Sequence, residues 1–210
     1  IVGAPMAGGP STPRLTAAIS AAGGFGTLAG AYLTPEGLRA EIAAVRALTD
    51  APFGVNLFVP EEIPFDAEAF GRYRARLLGL AYRYGADLPE HVEFSDDAFD
   101  AKVAVLLESD VAAVSFTFGA PAPEVYAAFA ARGIGTVTTV ACRADAEVAV
   151  AAGTTALCAQ GTEAGGHRST FGILDQDDRT GVRELVADVG ALGVPVIGSG
   201  GVGGVDDVRA

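Results

Sequence analysis

Short apolar runs alternate with longer stretches of mixed polarity along this 210-residue chain. The runs are "IVGAP" (1–5), "GFGTLA" (24–29), "FGVNLF" (53–58), "AAVSFTF" (112–118), "IGTVTTV" (134–140), "TALCAQ" (155–160) and "VPVIGSG" (194–200). Rich in Val, Ile, Phe or Thr, each is short enough for a strand buried on both faces. The stretches between them read as helices. "STPRLTAAISAAGG" opens on Ser11 or Thr12 as a cap and closes on glycines. "TPEGLRAEIAAVRALTD" sets Thr34 before Pro35 and places Leu38, Ile42, Val45 and Leu48 at helical spacing. "APEVYAAFAARG", "RADAEVAVAAG" and "TGVRELVADVGALG" repeat the scheme, each ending on Gly.

Strand-helix alternation of this kind predicts an α/β fold with a parallel sheet. Right-handed crossovers wind such a sheet into a barrel or an open doubly wound layer. The strand count favours a (β/α)8 TIM barrel truncated after strand seven, since an eighth strand is needed to pair the edges of strands one and seven. The length agrees, because a whole barrel typically takes about 250 residues. Residues 1–210 are therefore expected to be a single barrel domain, incomplete at the C-terminus. Residues 59–95 interrupt the rhythm with two helical pieces' worth of sequence between proline-bearing loops. In a barrel, such an excursion after strand three covers the strand C-terminal face and shapes the substrate site.

Half of the residues are apolar, enough for one sizeable core, and the fraction leaves room for a homo-oligomer interface. The net charge of −12 repels phosphate backbones and anionic membranes, so neither nucleic acid nor membrane is an expected partner. Lys102 is the sole lysine, which reads as coding bias. Cys142 and Cys158 stand in apolar surroundings and read as buried free thiols. With two distant histidines and no cysteine cluster, no metal site is expected. No signal peptide or long apolar span is visible, so a cytoplasmic protein is the default expectation. The chain does open at Ile1 inside an apolar segment.

Chemistry in a parallel barrel collects where the strands end. "GSGGVGG" (198–204) precedes a helix start, where small residues let backbone N–H groups converge on an anion. The alternative is a flexible turn. Gly165 and Gly166 let the backbone approach a flat ligand closely. Gln160 and Asn56 can each donate and accept hydrogen bonds, as a heteroaromatic edge requires, or can simply satisfy a loop backbone. His167 follows the Gly-Gly pair and can take a proton or hold an anion. His91 lies among acidic residues in "LPEHVEF" and reads as a surface residue.

With these residues assembled, the chain resembles the nitronate monooxygenases, which are FMN-dependent barrels. The likeness runs along almost the whole chain, through "APMAGGPSTPRLTAAISAAGGFGTLA", "GVNLF", "VSFTFG", "QGTEAGGHRS" and "PVIGSGGV", the Gly-Gly-His element being the most specific. The resemblance implies that Met6 lines the flavin ring and that Asn56 and Gln160 hydrogen-bond it. It implies that Gly165, Gly166, Gly200 and Gly201 lie against the flavin or its phosphate. His167 becomes the active-site histidine, and Ser115 a pocket residue. The implied reaction is oxidation of an alkyl nitronate, or a nitroalkane, by O2 to a carbonyl compound and nitrite. A related FMN-dependent enoyl reductase using NAD(P)H shares the Gly-Gly-His element; "VSFTFG" and the excursion favour the monooxygenase. A non-catalytic flavin- or phosphate-binding barrel, or an inactive fragment, is the third reading. Because the family's last strand completes the phosphate cradle, this stretch alone is expected to bind FMN poorly.

Overall fold

Strand pairing follows chain order without exception in the computed structural model, which describes residues 1–172 and 179–209. Among the described residues the strands are β1 (Gly26–Ala29), β2 (Phe53–Phe58), β3 (Ala113–Thr117), β4 (Gly135–Val140), β5 (Ala156–Gln160) and β6 (Val196–Ser199). All five pairings are parallel. Parallel neighbours need crossovers, and helices supply them. These include α2 (Pro35–Arg46), α4 (Phe99–Leu107), α5 (Pro123–Ala131), α6 (Arg143–Ala152) and α7 (Val182–Val189), with α1 (Pro13–Ala21) ahead of the sheet. This is an α/β fold, and sequential parallel order is that of one side of a (β/α) barrel.

The expected strand at 1–5 is reduced to one bridge, Val2 to Phe25. The Gly3 N–H donates to the Phe25 carbonyl, and the Phe25 N–H to that of Ile1, both at 2.9 Å. Pro5 then has no N–H to continue the ladder. Ser11 Oγ draws the segment away, accepting from the Met6 N–H at 2.8 Å and donating to the Ala4 carbonyl.

The strands were also expected to be buried on both faces. β2 meets that, but β3, β4 and β5 alternate between buried and half-buried positions. Val114, Phe116, Leu157 and Ala159 pack under the helices in two core clusters, one around Phe53, Phe116 and Phe129 and the other around Leu157 and Leu185. The opposite face carries Ser115, Thr117, Thr139, Cys158 and Gln160, small or polar residues that are half-buried.

Thr12 and Thr34 cap α1 and α2 as the sequence predicts, accepting from the Leu15 and Gly37 N–H groups. One helix was not anticipated. α4 (Phe99–Leu107) is apolar on most sides, burying Phe99, Val103, Val105 and Leu106 together with Lys102, so it lacks the polar alternation that marks a surface helix.

The chain divides into two compact units, Glu62–Asp96 forming one of them. That unit contains a single helix, α3 (Ala67–Tyr84), rather than the two expected. Asp66 caps it, and Gly85 stops it in a left-handed conformation at φ 61°. Pro89 lies in the irregular stretch that follows, its carbonyl accepting from Arg74 Nε at 2.9 Å. The short helix α8 (Val205–Arg209) ends the described chain.

Candidate active site

The end of β5 organises the rim. Gln160, its last residue, donates from Nε2 to the His167 carbonyl at 2.8 Å and accepts at Oε1 from the Ser169 N–H at 2.9 Å. Both ends of its amide therefore hold the loop that carries His167. Arg168 adds two ties, donating to the carbonyls of Gln160 and Ala141. Glu163 fastens the same loop from the other side: its Oε2 accepts from the Val182 N–H at 2.9 Å. α7 begins on Gly181, which has no side-chain cap of its own, so Glu163 satisfies an otherwise orphaned amide there. The Glu163 carboxyl is held below its usual range by its own backbone N–H and by that of Val182, with Arg168 and Arg183 adding smaller effects.

His167 stands exposed at this rim. Its ring lies 5.6 Å from Phe118 and 6.2 Å from Phe58, edge-on to both. Phe58 is the last residue of β2, and Phe118 directly follows β3. The histidine thus reaches from the end of β5 to the ends of β2 and β3, at the face where the strands terminate. A cavity of about 290 Å³ beside it is lined by Gln160, Thr162, Ala164, Gly166, His167, Arg168 and Arg179. Two guanidiniums and an imidazole around one hollow give an acidic chain a local place for an anion.

The remaining predicted residues fall into three groups. Asn56 and Ser115 are register partners on β2 and β3. Asn56 is buried, and its Nδ2 donates to Ser115 O, Ser115 Oγ and Thr117 Oγ1 at 3.0–3.2 Å. Met6 lies in the loop before α1 with its backbone N–H and carbonyl both engaged by Ser11. Gly165 and Gly166 have open space where a side chain would stand. Gly200 and Gly201 do not: a Cβ at Gly200 would meet the Ala164 backbone nitrogen at 2.7 Å, and one at Gly201 the Glu163 side chain at 3.1 Å. These two glycines let the loops after β5 and β6 pack together, both with positive φ. Farther on, the Gly203 and Gly204 N–H groups converge on Asp207 Oδ2 at 3.0 and 2.9 Å.

Cys142 and Cys158 are free but half-buried rather than buried. Burial pushes both thiols up, in Cys158 against hydrogen bonds from Thr139 and Ser199. Neither has the lowered pKa of a nucleophilic thiol.

Residues 1–210 match the sequence profile of the family described as Nitronate monooxygenase. The chain belongs to the nitronate monooxygenase family. That family is one of oxidoreductases, and its curated members are similar along nearly all of this sequence. A nitronate monooxygenase of Paraburkholderia phytofirmans is 38% identical over 206 residues, covering 96% of this chain and 56% of the relative. One of Pseudomonas aeruginosa is 38% identical over 216 residues, covering 100% of this chain and 61% of the relative. The chain thus spans little more than half the length of these curated relatives. Among solved structures, a nitroalkane oxidase from Streptomyces ansochromogenes is 43% identical with a TM-score of 0.88, over 93% of this chain and 56% of that one. FabK from Thermotoga maritima is 26% identical with a TM-score of 0.71, over 99% of this chain and 52% of that one.

Pattern reading missed Glu163, Arg168, Phe58 and Phe118 as parts of this candidate rim. The sequence held little signal for Glu163, because Thr180 offers itself as the cap of α7 and only the structure shows the cap on Gly181.

Proposed function

We propose that this chain supplies the flavin-binding and nitronate-binding rim of an FMN-dependent enzyme. The reaction is oxidation of alkyl nitronates by O2 to a carbonyl compound and nitrite. The observation that carries the reading is the placement of His167: beside bare Gly165 and Gly166, against Phe58 and Phe118, and over a hollow edged by Arg168 and Arg179. The architecture of the reading is a (β/α)8 barrel of which this chain forms part.

The residues present fit FMN. Gln160 keeps one proton on Nε2 and one lone pair on Oε1 after holding its loop, a donor and an acceptor for the edge of a heteroaromatic ring. Asn56 spends its two protons on β3 and retains Oδ1 as an acceptor. Gly165 and Gly166 leave backbone exposed to a flat face. Just past Gly200 and Gly201, the Gly203 and Gly204 N–H groups converge on a single carboxylate oxygen of Asp207, the kind of convergence that a phosphate oxygen takes. Met6 would flank the ring and Ser115 the pocket. When bound, the flavin supplies the electron transfer that no side chain here can provide.

The chain's own groups do the rest. Arg168, Arg179 and His167 attract the anionic head of the substrate, against a net charge of −12 that would otherwise repel it. The imidazole hydrogen-bonds the nitronate oxygens, or takes the α-proton when the substrate arrives as a neutral nitroalkane. Phe58 and Phe118 exclude water from one side of the ring and fix its tilt. Two free thiols favour a reducing compartment such as the cytoplasm.

The test is anaerobic mixing of the FMN-loaded whole enzyme, to which this chain supplies the rim, with ethyl nitronate and, separately, with NADPH. Bleaching of the flavin absorbance by the nitronate is expected. Bleaching by NADPH alone would replace this reading with a nicotinamide-dependent reductase. His167→Ala is expected to keep the bound-flavin spectrum and lose turnover; unchanged turnover removes the role assigned to it.

A further inference from the structure

Backbone strain gathers around one aromatic group. Among the described residues, the non-glycine positions with left-handed backbone are Tyr32 (φ 65°), Asp97 (φ 53°), Ala98 (φ 52°), Phe118 (φ 71°) and Arg179 (φ 54°). Phe118 touches His167, and Arg179 lines the hollow beside it. Tyr32 meets Phe58 edge-on at 5.9 Å, and Phe58 meets Phe118 at 4.7 Å. Asp97 is what holds Tyr32: both of its carboxylate oxygens accept from the Tyr32 N–H, at 3.2 and 3.3 Å. Lys102 Nζ in turn lies 2.7 Å from Asp97 Oδ2, with the lysine side chain 1% exposed.

Such conformations are costly and persist where the surroundings over-determine them, typically at ligand-facing sites. Core packing does not account for Tyr32, because the residue is 67% exposed. Tyr32 is not an isolated exposed ring: with Phe58 and Phe118 it makes a contiguous aromatic patch at the rim, the kind of surface that marks a ligand site.

We propose that Tyr32 is a specificity residue. With Phe58 and Phe118 it forms an aromatic wall that takes the apolar arm of the substrate beside His167, and Asp97, paired with the buried Lys102, positions it there. The proposal rests on the reading of His167 and its hollow as the nitronate site. The anionic head goes to the cationic side of the rim and the alkyl arm to the aromatic side. Each methylene removed from water strengthens binding by about fourfold when fully covered. Preference should therefore climb with chain length.

The chain has two histidines, so the His167 imidazole proton resonance is identified by comparison with His167→Ala. Titration with ethyl nitronate and with hexyl nitronate, followed by that resonance, reads binding without turnover. Hexyl nitronate is expected to saturate at a concentration at least about tenfold lower, given even partial cover of its four extra methylenes. Tyr32→Gly should bring that ratio below about threefold while the melting temperature stays level or rises, since glycine relieves the strained φ. Asp97→Gly combined with Lys102→Met removes the pair without stranding a buried charge, and should lower the ratio likewise. A ratio that survives Tyr32→Gly overturns the wall. One that falls with Tyr32→Gly but survives the double substitution overturns the positioning role of Asp97 and Lys102. If both nitronates shift the resonance at equal concentrations, the wall fails and the nitronate site stands. If neither shifts it, the site reading fails and the wall with it.

Discussion

The side chain of Glu163 and the backbone of Val182 are joined by a 2.9 Å hydrogen bond that ties the loop after β5 to the first turn of α7. The loop is the one that ends in Gly165, Gly166 and His167, so a helix start and a candidate catalytic group share one fastening. The fastening is also electrostatic, because a carboxylate at a helix N-terminus meets the positive end of the dipole.

A pH dependence follows. The folded-state pKa of Glu163 is depressed, first by its own N–H and then by that of Val182. Its stabilising contribution is complete above the unfolded value and is lost as pH falls through the folded one. Thermal unfolding followed from about pH 7 down to about pH 3 should show an acid limb that is shallower in Glu163→Gln, because the amide accepts the same bond without titrating. Identical limbs would mean that the bond does not form in solution.

Two glycines of the rim should separate packing from ligand approach. Gly200→Ala places a Cβ 2.7 Å from the Ala164 nitrogen at φ 115°, so it should lower the melting temperature by destabilising the loop contact by more than about 1 kcal/mol. Gly165→Ala meets nothing within 4 Å and should leave the melting temperature unchanged. Its flavin affinity should nonetheless fall, as measured by titration with FMN. Full affinity in Gly165→Ala would show that the flat ligand does not lie against that backbone.

Tyr126 gives an alkaline counterpart. Its hydroxyl lies 2.7 Å from Thr138 Oγ1 in the core, and burial pushes its pKa up to about 12 despite that bond. For a phenol raised above its unfolded value, the contribution is complete below about pH 10 and disappears as pH rises through the folded value. Tyr126→Phe should flatten stability over that window. Near neutrality it should cost only about 1 kcal/mol, since Thr138 keeps Thr154 as a partner at 3.0 Å.

Gln160→Leu should release the loop it braces. Removing the amide leaves the Ser169 N–H and the His167 carbonyl without their partner, a loss of about 1–3 kcal/mol by melting temperature if neither finds water. Faster hydrogen exchange confined to residues 161–169 is the expected signature. An unchanged exchange pattern would show that Arg168 and Glu163 hold the loop without it.

Local rules carried the reading of this fold a long way. β1 to β6 were legible because β-branched and aromatic residues cluster in runs bounded by Gly and Pro, and Thr12 and Thr34 announced their helices by capping. The reduction of the expected strand at 1–5 to a single bridge was not, because its fate turns on Ser11 reaching back to Ala4 and Met6. α4 was hidden by its own apolarity. At the site, His167 was legible from the Gly-Gly pair before it. Its neighbours Phe58 and Phe118 were not, since only the register of β2 and β3 brings chain segments so distant in sequence to the same edge. Gln160 was legible as a polar strand end, but whether its amide faces a ligand or its own loop is decided by tertiary geometry.

Lys102 carries the only ε-amine in this sequence, and it lies inside the folded chain. Amine-reactive dyes, acetyl donors and lysine-directed cross-linkers should therefore meet no lysine side chain on the folded surface of residues 1–209. Slow acylation of Lys102 becomes a built-in clock for how often α4 lifts away from the sheet.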